Sequence, residues 1–92
     1  PMLSFKTFDE VIERANNNDL GLCSYIYTNS MEQAHRASEL METGCVAVNT
    51  AAVAVAEAPF GGIKQTGYGR EGGSMAIKDY LNIKYTHLGL KN

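Results

Sequence analysis

Six of the nine glycines in this 92-residue chain fall between Gly61 and Gly73. Glycine loses more conformational freedom on folding than any other residue. A stretch this rich is therefore useful only where the backbone needs unusual dihedrals or must approach something closely. Within it, Gly67-Tyr68-Gly69-Arg70-Glu71-Gly72 has the spacing G-x-G-x-x-G. A dinucleotide fingerprint also needs a strand directly before the glycines and an acidic residue about 20 positions beyond. Here another glycine-containing loop precedes, and Lys91-Asn92 closes the chain at about that distance. No Gly-Lys-Ser/Thr follows the glycines, so the phosphate-loop pattern fails as well.

Before the glycines, strand and helix patterns alternate. Met2–Thr7 is short and β-prone. Thr7-Phe8-Asp9-Glu10 has capping-box form, and Val11, Ile12 and Ala15 follow at helical spacing, predicting an amphipathic helix over 8–16. The polar run Asn16-Asn17-Asn18-Asp19 ends it, because short polar side chains compete for backbone hydrogen bonds. Leu22–Thr28 is a strand by its aromatic and β-branched content. Ser30-Met31-Glu32-Gln33 is a second capping box; Ala34, Ala37, Leu40 and Met41 share one face of the helix it opens, and Gly44 is expected to stop that helix. Cys45–Asn49 is a continuous apolar run of the kind seen in a strand covered on both faces. The expected fold class is α/β, strand-helix-strand-helix-strand. Thr50–Ala58, mostly Ala and Val, has no clear period. A short helix is expected at about Ser74–Tyr80 and a terminal strand at Leu81–Leu88, whose alternation suits an edge position.

Bulk properties narrow the function. The net charge of −2 gives no electrostatic case for nucleic acid or an anionic membrane, and no apolar run approaches the roughly 18 residues of a spanning helix. Cys23 and Cys45 have no metal-like spacing and sit in apolar, β-prone runs. They are expected to be buried free thiols of a reducing, cytoplasmic compartment. His35 and His87 are single histidines, expected at the surface or an interface.

The segment Ala58-Pro59-Phe60-Gly61-Gly62-Ile63-Lys64-Gln65-Thr66-Gly67-Tyr68-Gly69-Arg70-Glu71 resembles the C-terminal signature P-F-G-G-x-K-x-S-G-x-G-R-E of the NAD(P)-dependent aldehyde dehydrogenase superfamily. Val48-Asn49-Thr50 precedes it at the family's interval. Pro1 resembles the proline of the family's E-x-F-G-P motif, and Tyr80-Leu81-Asn82-Ile83-Lys84-Tyr85 its terminal strand. The resemblance covers essentially the whole chain and is most like the succinate-semialdehyde dehydrogenase branch. It implies that residues 1–80 are the C-terminal part of a catalytic domain and 81–92 a terminal oligomerisation strand and tail. The nucleophilic cysteine, the general-base glutamate and the cofactor half would lie upstream, so this chain alone is expected to be inactive and to bind no NAD or NADP.

The resemblance also implies roles by position. Phe60 matches the phenylalanine beside the nicotinamide, where a flat apolar wall excludes water from hydride transfer. Its alternative is a core phenylalanine after a turn proline. Glu71 matches a second glutamate that relays protons to the general base. Its alternative is a structural Arg70–Glu71 pair. Lys64 and Gly67 match positions whose backbone carbonyls hold potassium between subunits in some members. Ala54 falls where the succinate-semialdehyde branch places a serine that helps hold the substrate carboxylate. An alanine cannot make that hydrogen bond, which would leave the contact to an upstream arginine. Thr66 replaces the usual serine and keeps the hydroxyl. The homo-oligomer would form through strand 81–88, by β-addition at a free edge. Two other readings stay open: a stand-alone α/β module whose glycine loop binds an anion or a protein, and a truncated, inactive gene product.

Overall fold

The computed structural model describes residues 1–91. The first helix, α1, is Phe8–Asn16. The Thr7 hydroxyl accepts the Glu10 N–H at 3.2 Å, the local cap that the sequence predicts. The Glu10 carboxylate does not return to the Thr7 N–H. It accepts the Lys6 N–H at 2.9 Å, one residue further out, and pairs with Arg14 at 3.1 Å.

Among the described residues four short strands follow: β1 Leu20–Gly21, β2 Cys23–Ile26, β3 Cys45–Val48 and β4 Ile63–Lys64, with α2, Met31–Leu40, between β2 and β3. β2 and β3 pair in parallel, from Cys23 opposite Cys45 to Ile26 opposite Val48. Parallel neighbours need a crossover, and α2 supplies it. β1 pairs antiparallel with β4, which ties the start of the glycine segment back to the chain just after α1.

α2 opens as expected, the Ser30 hydroxyl accepting the Gln33 N–H at 3.3 Å. The box is one-sided, because the Gln33 amide oxygen accepts the Thr28 hydroxyl instead. The helix ends at Leu40 and not at Gly44. Asn16 supplies its cap from another part of the chain: Nδ2 donates to the Leu40 carbonyl and Oδ1 accepts the Glu42 N–H, both at 2.8 Å. Gly44 serves a different purpose. A Cβ there would lie 2.8 Å from the Gly61 carbonyl carbon and 2.9 Å from the Gly62 Cα, with the Gly61 oxygen nearer still. Its glycine is needed for backbone-to-backbone approach.

Several sequence expectations change at the ends. Met2–Thr7 forms no strand, because it finds no ladder partner and Met2 and Leu3 are exposed. The strand expected over 22–28 shortens to β2. The helix expected over 74–80 is a single 3-10 turn, Ala76–Tyr80. The strand expected over 81–88 pairs with nothing among the described residues, and every residue from 81 to 91 is exposed. The radius of gyration is 18.9 Å, where a compact chain of this length would have about 12 Å. The principal extents of 74 × 24 × 24 Å express the same elongation.

Among the described residues, the buried apolar side chains are Ala34, Ala37 and Ala47, and Ser24 is buried with its hydroxyl on that of Thr43 at 2.9 Å. Leu40, expected to share a face of α2 with Ala34 and Ala37, is 45% exposed. β3, expected to be covered on both faces, buries only Ala47. Three alanines remove little apolar area from water, so the chain's own contacts hold it weakly.

Candidate functional site

The glycine segment is held at its start by β4 and at its far end by one isolated bridge, Phe60 opposite Glu71. Each of these residues donates its N–H to the other's carbonyl at 2.7 Å. Two residues eleven apart in sequence, both singled out by the signature, are therefore adjacent in space. The loop between them turns through Lys64 at φ 57°, Gly67 at 119° and Gly69 at 91°, and Gly72 follows at 69°. These are left-handed dihedrals that side chains disfavour, which accounts for most of the glycines. A Cβ at Gly72 would also meet the Ala58 carbonyl oxygen at 2.8 Å.

Side chains then fix the loop to the rest of the chain. Lys64 Nζ donates to the carbonyls of Asn16 (2.9 Å) and Asn18 (3.1 Å) and pairs with Glu42 at 2.6 Å. A cation beside the carbonyls that end α1 also suits the negative end of the helix dipole. The Thr66 hydroxyl accepts the Gly21 N–H at 2.8 Å, so the hydroxyl kept at this position is in use. Arg70 donates to the carbonyls of Gly62 and Gly69, each at 2.8 Å, while its own N–H goes to Asp79 at 2.9 Å. Arg70 is thus committed to backbone, and no Arg70–Glu71 ion pair occurs among the described residues.

Phe60 is half-buried and Glu71 is exposed. Both border two clefts. One, of about 340 Å³, has Ala54, Val55, Ala56 and Gly72 as its other walls. The second, of about 320 Å³, lies over the glycine loop and includes Gly67, Tyr68 and Arg70. Ala54, Phe60 and Glu71 therefore share a cleft, although Ala54 lies on a segment without regular structure. Lys64 lies apart from that cleft, against the end of α1. It shares a turn with Gly67, whose N–H donates to the Lys64 carbonyl at 3.4 Å. No group of three or more His, Cys, Asp or Glu side chains able to hold a metal occurs among the described residues. A hard cation would have to be held here through carbonyls.

The G-x-G-x-x-G spacing at Gly67–Gly72 has no phosphate cradle behind it. No α-helix opens after it among the described residues, only a 3-10 turn at Ala76, and a dinucleotide pyrophosphate needs aligned N–H groups at a helix N-terminus. Beside that glycine backbone stands the half-buried ring of Phe60. His35 is exposed on α2, and His87 Nδ1 lies 3.1 Å from the Tyr85 hydroxyl, away from both clefts. Asn16 and Asp79 are the positioning residues that sequence reasoning missed. The sequence around Asn16 points only to the end of α1, and neither residue has a local pattern that points to its distant partner.

The family model described as "Aldehyde dehydrogenase family" matches residues 1–86. A 3-sulfolactaldehyde dehydrogenase of Pseudomonas putida is 52% identical over 89 residues, covering 97% of this chain and 18% of that protein. The mitochondrial succinate-semialdehyde dehydrogenase of Arabidopsis thaliana is 45% identical over 92 residues, 100% of this chain and 17% of its own length. Among solved structures, an NAD+ complex of an aldehyde dehydrogenase from Bacillus cereus superposes with a TM-score of 0.90 at 39% identity, covering 97% of this chain and 18% of that one. The chain spans about 18% of the length of such relatives.

Proposed function

The chain belongs to the aldehyde dehydrogenase family, and from that premise we propose that it contributes the nicotinamide-side wall and the loop scaffold to a longer NAD(P)-dependent enzyme that oxidises a small acidic aldehyde, such as a semialdehyde, to its carboxylic acid. The observation that carries this is the Phe60–Glu71 bridge, which sets an apolar ring and a carboxylate side by side on the rim of one cleft. The cofactor, when bound, would supply the hydride acceptor for the substrate carbon. Phe60 then excludes water from one side of that transfer, and Glu71 carries a proton to and from solvent at its carboxylate. Ala54 gives the cleft a small apolar lining and offers the substrate's acidic group no hydrogen bond. Recognition of that group therefore falls to a cationic residue outside this chain.

Three further parts of the reading have narrower support. Lys64 and Gly67, in one turn, offer two carbonyl oxygens of the type potassium takes. Residues 81–88 present unpaired backbone and exposed Ile83, Tyr85 and Leu88, which favours β-addition to a second copy of the enzyme. The free thiols of Cys23 and Cys45 favour a reducing compartment such as the cytoplasm, and no helix among the described residues is long and apolar enough to cross a membrane.

The test has two arms. Calorimetric titration of the 92-residue chain with NAD+ or NADP+ is expected to give no binding heat; micromolar binding would overturn the assignment of the cofactor site to residues outside it. In the longer enzyme, coupled reduction of NAD(P)+ by succinate semialdehyde or sulfolactaldehyde is expected, and Phe60→Ala should lower kcat by about tenfold to a hundredfold. An unchanged kcat would remove Phe60 from the site.

A further inference from the structure

We propose that Cys23 and Cys45 form a redox-modification site, a cross-strand dithiol that a small-molecule disulfide of the glutathione type converts into an internal disulfide bridging β2 and β3. The two cysteines are direct register partners in the parallel ladder, and both are free. Neighbouring strands lie about 4.8 Å apart, inside the Cα separation of roughly 4.4–6.8 Å that a disulfide spans. Paired residues point to the same face of the sheet, and both thiols are only half-buried. On the same face, Cys45 Sγ donates to the Gly61 carbonyl at 3.7 Å, so the glycine loop sits over the pair. Nothing in the aldehyde chemistry uses either thiol, and the proposal does not depend on that chemistry.

The exchange balances without another reactant. One cysteine thiolate attacks a sulfur of the small disulfide, whose S–S bond breaks and releases a first small thiolate. The second cysteine, having lost its proton, attacks the protein sulfur of the mixed disulfide and expels the second small thiolate. The protein loses two hydrogens and the small disulfide is reduced to two thiols. Partial burial, then the neighbouring Cys45, push the Cys23 thiol up, while the Tyr25 hydroxyl pulls it the other way. Closure is therefore slow at neutral pH and faster in alkali. Once Cys45 has lost its S–H, it can no longer donate to Gly61, and the loop next to Phe60 loses that contact.

The experiment equilibrates the whole chain in glutathione redox buffer, quenches with acid, alkylates and reads intact mass and linked peptides. The expected result is a species lacking two hydrogens, with no glutathione adduct and with Cys23 and Cys45 in one linked peptide pair. Its equilibrium constant should be at least about tenfold larger than in denaturant, where only chain proximity acts. Cys23→Ser and Cys45→Ser should each carry one stable glutathione instead. Two adducts on the wild-type chain, disulfide-linked dimers, or equal constants in native and denaturing buffer would overturn the proposal. Phenylarsine oxide gives a readout that needs no variant: one arsenic per chain should block both thiols, and blocking of one or neither would also overturn it.

Discussion

Gly44→Ala isolates the close approach on which the glycine loop depends. The added Cβ would stand 2.8 Å from the Gly61 carbonyl carbon and 2.9 Å from the Gly62 Cα, where ordinary contact begins at 3.4 Å. Both obstacles are backbone, so no side chain can swing aside, and either the loop or the segment leading into β3 must shift by more than half an ångström. That shift breaks the Gly44 N–H to Gly21 carbonyl bond (3.0 Å) and the Cys45 contact to Gly61 (3.7 Å). Overpacking costs about 1–3 kcal/mol; with two bonds lost and only backbone to give way, the upper end applies. About 3 kcal/mol is a change on the order of a hundredfold in the population with the loop undocked. Tryptic cleavage between Arg70 and Glu71, followed by mass spectrometry at low protease, reads that population when opening and closing are fast. Gly89→Ala is the control, since nothing lies within 4 Å of a Cβ there. Equal cleavage rates for the two variants would refute the reasoning.

Lys64→Met should cost about 1–2 kcal/mol, because it removes three charge-assisted contacts from a side chain still partly exposed to water. Amide exchange at Gln65, whose N–H bonds the Asp19 carbonyl at 2.9 Å, should then quicken about tenfold, and an unchanged rate would show that the ammonium does not hold the turn. The Lys6 N–H, followed by the Arg14 guanidinium, holds the Glu10 carboxyl below the usual carboxylate range. A carboxyl lowered in the folded state stabilises it fully above the unfolded pKa, and that contribution is lost as pH falls through the folded value. Helicity of α1 by circular dichroism should accordingly weaken on acidification in the parent and less so in Glu10→Gln; identical acid transitions would exclude Glu10 as the cause.

What the sequence determined by itself was whatever depends on near neighbours. Thr7 and Ser30 cap the helices they were expected to cap, because an N-cap needs only a hydroxyl and an N–H three residues away. The α/β order and the signature around Phe60 and Glu71 were legible for the same reason, being patterns along the chain. The tertiary structure decided everything that required a distant partner. Asn16 closes α2 across 24 residues, and Gly44 is set by the backbone of Gly61. The cysteines meet because β2 and β3 align in register. The terminal segment shows the limit from the other side: residues 81–88 alternate as a strand should, but a strand's hydrogen bonds belong to two segments, and this chain offers no second one among its described residues.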